Sequence, residues 1–335
     1  MGHLGGVAHL FLRAGKAEQP VGAGEAIPVR VLAVQMNTPQ DIKWDAEFAK
    51  SIFDGYAEQT EIGLAAGGAD LVVWPETALP LDFYHTYTQS YLEYVLGGAD
   101  EQTWFAIGSN VSVPDRGYFN SILLMRGTPK SAAFYHKRHL VPFGEYLPLR
   151  GVFPPFEWVA GGLIPTDLTP GESDEPLRIQ VDGAEIDLMP LVCFEDTIAR
   201  VARASVRSGY PQVLLNSTND GWFGESAAAR QHLHNALFRC IELRRPMIRA
   251  ANTGVTCLID STGQVIEQAP PFTPAFIAAN LPVPKAQPMT PYAVAGDWLP
   301  LGAGIIALGV AILRMARLRS RRHNMPSRPG APPSR

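Results

Sequence analysis

From Val29 to about Pro282, short apolar runs alternate with stretches of helical spacing, and this alternation restricts the fold more than any other feature of the chain. The runs "VRVLAVQMN", "ADLVVWPET", "TWFAIGSNVSV", "YFNSILLMR", "SAAFYHKRHL", "EIDLMPLVC", "PQVLLNST", "MIRAANTG" and "VTCLIDSTG" have strand length, with turns such as Asp-Arg-Gly and Gly-Thr-Pro-Lys among them. Helical spacing runs from about Asp45 to Ala65, over 197–208 and from Ser226 to Arg245, and a loop rich in Pro, Gly and aromatics fills roughly 141–171. Strands interleaved with helices predict one α/β domain. The chain of 335 residues is 46% hydrophobic, enough for a sizeable core. Its formal net charge of −4 supplies no basic field, so nucleic acid is not expected as a partner.

The stretch "LMPLVCFEDTIARVARASV" drives an apolar strand into Cys193 and then into a helical pattern. A cysteine at a strand-to-helix elbow lies near a helix N-terminus, where the dipole favours the nucleophilic thiolate; a cysteine ending a strand also serves as plain core packing. The other two cysteines read as small core hydrophobes: Cys240 falls on the Leu233, Leu237, Ile241 stripe, and Cys257 shares a strand face with Val255 and Ile259. Three cysteines make neither a disulfide framework nor a CxxC motif. The histidine pairs His136/His139 and His232/His234 lack acidic or thiol partners at ligand spacing, so no metal site is expected.

A nucleophilic cysteine needs a base and a partner for the oxyanion it creates. Glu76 follows a hydrophobic strand and Trp74-Pro75, a position at the sheet rim that suits a general base but also an ordinary surface carboxylate. Lys137 closes another strand, with Glu145 after Pro-Phe-Gly; between His136 and Arg138 such a lysine is often only a solvated charge. Open α/β sheets gather the C-terminal ends of their strands at one crevice. If these ends converge, Glu76 can act as base and acid, Lys137 can neutralise developing charge, Cys193 can carry an acyl group, and Glu145 can orient the lysine.

The motifs "VQMNTPQDIKWD", "LVVWPETALP", "YHKRHLVPFGEYLP", "LVCFED", "NSTNDGWFGES" and "ELRRPMIRAANTGVTCLIDSTGQV" occur in this order over about 250 residues. Their order resembles the carbon–nitrogen hydrolase (nitrilase) superfamily, and within it the apolipoprotein N-acyltransferase branch. The resemblance implies a nitrilase-like αββα sandwich, a Glu76–Lys137–Cys193 triad and supporting site residues Glu145 and Glu195. It also implies roles for Trp44, on a loop beside the site, and for Phe194, where the family usually has Tyr. No cofactor is implied. The reaction it implies is ping-pong acyl transfer through a Cys193 thioester. A phospholipid such as phosphatidylethanolamine is the donor, and the α-amine of a diacylglyceryl-modified apolipoprotein is the acceptor. Aromatic loops at 79–87, 143–159 and 219–226 suit an apolar, lipid-facing rim.

Leu299–Leu313 carries no charge; extended by Arg314 snorkelling to Ala316, it is a marginal membrane span with a cluster of Arg after it. The expected organisation is an irregular segment over 1–27, a catalytic domain over 28–283, a linker over 284–297, a transmembrane helix over 298–316 and a basic disordered tail over 317–335. The expected place is the bacterial inner membrane, with the domain on the extracytoplasmic side. In the family seven further helices precede the domain, so the chain reads as a fragment, a split enzyme or a degenerate copy, the first being favoured. A soluble nitrilase-superfamily amidase and an inactive membrane-tethered copy are the alternatives.

Overall fold

The computed structural model describes residues 26–150, 166–285 and 287–323. Most of the expected N-terminal segment, the later part of the 143–159 loop and the end of the basic tail lie outside the described residues. The chain divides into two units, Met1–Ala293 and Val294–Arg335.

In the first unit the elements run β1 (Ala26–Gln35), α1 (Ala49–Gly67), β2 (Leu71–Val73), α2 (Thr86–Gly97), β3 (Trp104–Val113), β4 (Gly117–Arg126), β5 (Thr128–His136), β6 (Leu177–Val181), β7 (Ala184–Val192), α3 (Ala199–Gly209), β8 (Val213–Thr218), α4 (Ala227–Leu243), β9 (Met247–Ala251), β10 (Cys257–Ile259), β11 (Val265–Gln268) and β12 (Ala275–Pro284). They build two six-stranded sheets, ordered β12-β1-β2-β3-β4-β5 and β11-β10-β9-β8-β7-β6. Each has a parallel centre, β1-β2-β3 in one and β7-β8-β9 in the other, flanked by antiparallel strands.

Strand β1 shows why the runs are almost continuously apolar. Val29, Val31 and Ala33 join Ile179, Ile186 and Leu188 in a core between the sheets. Leu32 and Val34, on the alternate face, pack against Ile52, Phe53 and Tyr56 of α1. A strand buried on both faces has no polar side to display. On the second sheet, Val201, Ala202 and Val206 of α3 and Leu233, Ala236 and Leu243 of α4 complete the outer layer. The result is an αββα sandwich. Cys240 and Cys257 lie in its core, fully buried.

Three local readings need correction. Helix α2 escaped the sequence, although Tyr91, Leu92, Val95 and Leu96 bury one of its faces; the tyrosines around them disguise the period. The 79–87 loop is in part core, because Leu79 and Phe83 pack in the outer layer, while Tyr84, His85, Thr86 and Tyr87 are exposed. Helix α1 begins at Ala49 rather than near Asp45, whose carboxylate accepts a hydrogen bond from the Glu47 amide in the preceding turn.

The second unit holds a helix, α5 (Trp298–His323). Its Trp298–Arg317 stretch of 20 residues is long and apolar enough to cross a membrane; at roughly 1.5 Å per residue such a length matches a hydrocarbon core of about 30 Å.

Candidate active site

Strands from both sheets end around one polar cluster. Glu76 follows β2, Lys137 follows β5 and Cys193 follows β7 directly. The sheets are joined here by the Ser217 hydroxyl at the end of β8, which donates to the Trp74 carbonyl (2.9 Å). The Lys137 ammonium, 1% exposed, lies 2.8 Å from Glu145 Oε1 and 3.5 Å from Glu76 Oε1. Burial alone would lower its pKa, but Glu76, Cys193 and Glu145 outweigh burial and raise it, so the lysine is charged. Glu145 also accepts from the Val141 amide (2.8 Å), which fixes the loop that carries it.

Cys193 is half-buried and close enough to Glu76 and Lys137 to feel both charges. Burial pushes its thiol up and Glu76 adds to that, while Lys137 and the Thr218 hydroxyl pull the other way without prevailing. The expectation of a dipole-stabilised thiolate is therefore corrected. The five residues Cys193–Thr197 form a 3-10 turn, and α3 starts only at Ala199. Cys193 is therefore a neutral thiol, which would need a base to act as a nucleophile. Cys193 itself sits at φ 50° and Thr77, next to Glu76, at φ 47°; left-handed backbone at a non-glycine residue, above all a β-branched one, stores strain of the kind found at functional sites.

The supporting residues divide into two groups. Glu195 is wholly buried and accepts from the amides of Val192 (2.8 Å), Arg138 (2.8 Å) and His139 (3.0 Å) and from the Tyr135 hydroxyl (3.0 Å). Burial would raise its pKa, yet the His139 ring and the Val192, His139 and Arg138 amides hold it below the usual carboxylate value. It thereby clamps the Cys193 turn to the strand end bearing Lys137. Trp44 and Phe194 are instead about half exposed, at 48% and 47%.

Sequence reasoning missed three features. Asn120, a polar residue inside apolar β4, donates from Nδ2 to Glu76 Oε1 (2.7 Å) and Glu145 Oε1 (3.1 Å); an asparagine in a run such as "YFNSILLMR" is the signal. Lys43 is 2% exposed and donates to the Glu76 carbonyl (3.0 Å). Behind Cys193, His232 bridges Asp196 and Asp220, and Arg249 pairs with the same two carboxylates.

The seat of Glu76 depends on Gly108 of β3. A Cβ there would stand 2.1 Å from the Pro75 carbonyl oxygen and 2.7 Å from Glu76 Cα, both backbone atoms. Gly108→Ala is expected to push the Pro75–Glu76 turn off the sheet and slow any Cys193 acylation up to about 100-fold, the cost of a misplacement of about 1 Å. Single-turnover labelling by an activated ester measures it, and a rate within two-fold of wild type would show that the turn has another seat.

The carbon-nitrogen hydrolase family profile matches residues 30–290. The chain belongs to the carbon-nitrogen hydrolase family. It is 37% identical over 254 residues to an apolipoprotein N-acyltransferase of Geobacter metallireducens, covering 75% of this chain and 47% of that protein. With the Methylococcus capsulatus protein of the same name it shares 35% over 315 residues, 90% of this chain and 58% of that one. The chain thus spans about half the length of the curated relatives it matches. Among solved structures, a carbon-nitrogen hydrolase from Helicobacter pylori superposes with a TM-score of 0.55 at 15% identity, covering 76% of this chain and 88% of that one. A nitrilase-superfamily amidase from Nesterenkonia gives 0.54 at 16%, covering 78% and 93%. These neighbours show the nitrilase-like αββα fold.

Proposed function

We propose that the chain is the catalytic part of an N-acyltransferase that moves a fatty acyl group from a phospholipid to the α-amine of a diacylglyceryl-cysteine, through a thioester on Cys193. The observation that carries this reading is the junction of a neutral thiol with a carboxylate–lysine pair at the strand ends of both sheets. Glu76 takes the Sγ proton as sulfur attacks the ester carbonyl. Lys137 balances the negative charge on the carbonyl oxygen. Collapse breaks the ester C–O bond, and Glu76 returns its proton to the departing lysophospholipid. The acceptor amine then attacks the thioester, Glu76 takes a proton from the amine nitrogen, and collapse of the second adduct breaks the C–S bond and returns the thiol. Lys137 remains charged throughout because Glu145 holds it as well.

Transfer rather than hydrolysis is supported by the names of the relatives and by the site's surroundings. Phe143, Phe194, Trp222 and Phe223 are exposed at 55%, 47%, 69% and 46%, on the loops that carry Glu145 and Cys193 and on the turn beyond β8. Exposed aromatics in such number suit an apolar entrance that disfavours water. Helix α5 supplies a candidate anchor, with Trp298 at its start and Arg314 and Arg317 near its end. That charge placement fits a cytoplasmic C-terminus and a catalytic unit on the extracytoplasmic side of the inner membrane.

The test is intact-mass analysis of the detergent-solubilised chain after incubation with phosphatidylethanolamine. The expected product is one hydroxylamine-labile acyl adduct, absent in Cys193→Ala and discharged faster by a diacylglyceryl-cysteine peptide than by water. An adduct that survives in Cys193→Ala refutes the nucleophile, and discharge by water as fast as by the peptide refutes the transferase.

A further inference from the structure

We propose that Lys43 is a positioning residue of this active site: it locks the Glu76–Thr77 peptide so that the carboxylate faces Cys193, and it supplies a second cation to the reacting centre. The inference deepens the acyl-enzyme reading above and rests on it. Lys43 lies in the turn between β1 and α1, and that turn is tied to the second sheet by Asn219 Nδ2, which donates to Gln40 Oε1 (2.9 Å). The side chain is 2% exposed, yet its ammonium forms no ion pair with a carboxylate among the described residues. Instead Nζ donates to the Glu76 carbonyl (3.0 Å) and stands 5.6 Å from the centre of the Trp44 ring.

The carbonyl it grips belongs to the strained peptide. Thr77 is left-handed, and its own hydroxyl also donates to the Glu76 carbonyl (2.8 Å). Two donors therefore converge on one oxygen, and the peptide plane that sets the direction of the Glu76 side chain cannot rotate without losing both. Removing Lys43 does not orphan the oxygen, because Thr77 still satisfies it. A lysine needed only for folding would not be placed on an acceptor that already has a donor, at the desolvation cost of a buried ammonium.

Among the described residues, the titratable groups that act on Lys43 are the Glu76 carboxylate and the Cys193 thiol. Burial lowers its pKa to about 8, and those two groups only partly restore it. Below that pH it is a cation and favours negative charge arising at Cys193 and its acyl adduct. As pH rises through about 8 it becomes neutral and that help is lost. The thiol's own pKa lies well above this range, so its ionisation does not mask the change.

The test uses the full chain in detergent with p-nitrophenyl butyrate as probe, following Cys193 acylation by burst kinetics and intact mass. Lys43→Met is expected to acylate about 10-fold to 100-fold more slowly, the range a misplacement of up to about 1 Å produces. Lys43→Arg, which keeps both charge and donor, should recover to within a few-fold of wild type. The wild-type rate should decline through pH 8, the decline should vanish in Lys43→Met, and Lys43→Met should melt no lower than wild type at pH 7. The proposal is overturned if Lys43→Met keeps both the wild-type rate and the alkaline decline. It is equally overturned if Met and Arg variants are equally slow and both melt lower, the signature of a merely structural lysine. If the wild type and Cys193→Ala are labelled alike, the acyl-enzyme reading itself has failed.

Discussion

Glu76→Gln is expected to slow Cys193 acylation by about 10²–10⁴, the usual worth of general base catalysis, with little change in the fold. Glutamine keeps the shape of the side chain and can still accept the hydrogen bond that Asn120 Nδ2 gives Glu76 at 2.7 Å. What it cannot do is take the Sγ proton, and the neutral state of the thiol makes that transfer obligatory. Lys137→Met should cost about 10²–10³ in the same assay, as the loss of an oxyanion partner does. It should also destabilise the protein, because Glu76 and Glu145 are then left without their shared cation, and breaking a buried pair costs about 3–5 kcal/mol. The two variants are thus distinguishable: one is slow but stable, the other slow and less stable. Single-turnover mass labelling and urea unfolding measure both. Acylation of Glu76→Gln within a few-fold of wild type would remove it as the base.

The same contrast explains which parts of the site could be read in the sequence. Glu76, Lys137 and Cys193 each end an apolar strand, and a charged or reactive group after such a run is conspicuous. Strand ends in an α/β fold converge, so their meeting followed from architecture. Lys43 and Asn120 were not legible, because neither ends a strand. Their importance comes from the neighbours that folding brings to them, the Glu76 carbonyl in one case and two carboxylates in the other. The 3-10 turn that separates Cys193 from the helix read over 197–208 was not legible for a related reason. Glu195 turns inward to accept from the Val192, Arg138 and His139 amides, contacts that no local pattern in "FEDT" announces. That inward turn produces the 3-10 segment and delays α3 to Ala199. Helix α2 and strand β12 were overlooked where aromatic and proline-containing stretches obscured the period, although β12 pairs with β1 along its whole length.

The contribution of His232 to stability is expected to fall as pH rises from about 6.5 through 9. Its Nδ1 lies 2.6 Å from Asp220 Oδ1 and its Nε2 lies 2.8 Å from Asp196 Oδ1. Both ring nitrogens face acceptors, so both must donate, and only the imidazolium can do that. Burial and Arg249 oppose the charge, but Asp196 and Asp220 outweigh them and raise the pKa from 6.5 to about 9. A raised histidine pKa means the folded state binds the proton more tightly than the unfolded chain does. Its contribution is therefore complete below about 6.5 and is lost as pH climbs through about 9. At about 1.4 kcal/mol per pKa unit, the contribution is ~3 kcal/mol. His232→Gln should abolish this pH dependence and lose stability at pH 7, because Arg249 alone would then face two buried carboxylates. The loss should reach the site too. Asp196 belongs to the turn that begins at Cys193, and Asp220 opens the turn beyond β8 that presents Trp222 and Phe223. Chemical unfolding of both proteins at pH 6, 8 and 9.5 provides the comparison. A wild-type slope that persists in His232→Gln would assign the pH dependence to another group and leave the histidine as neutral packing between the two turns.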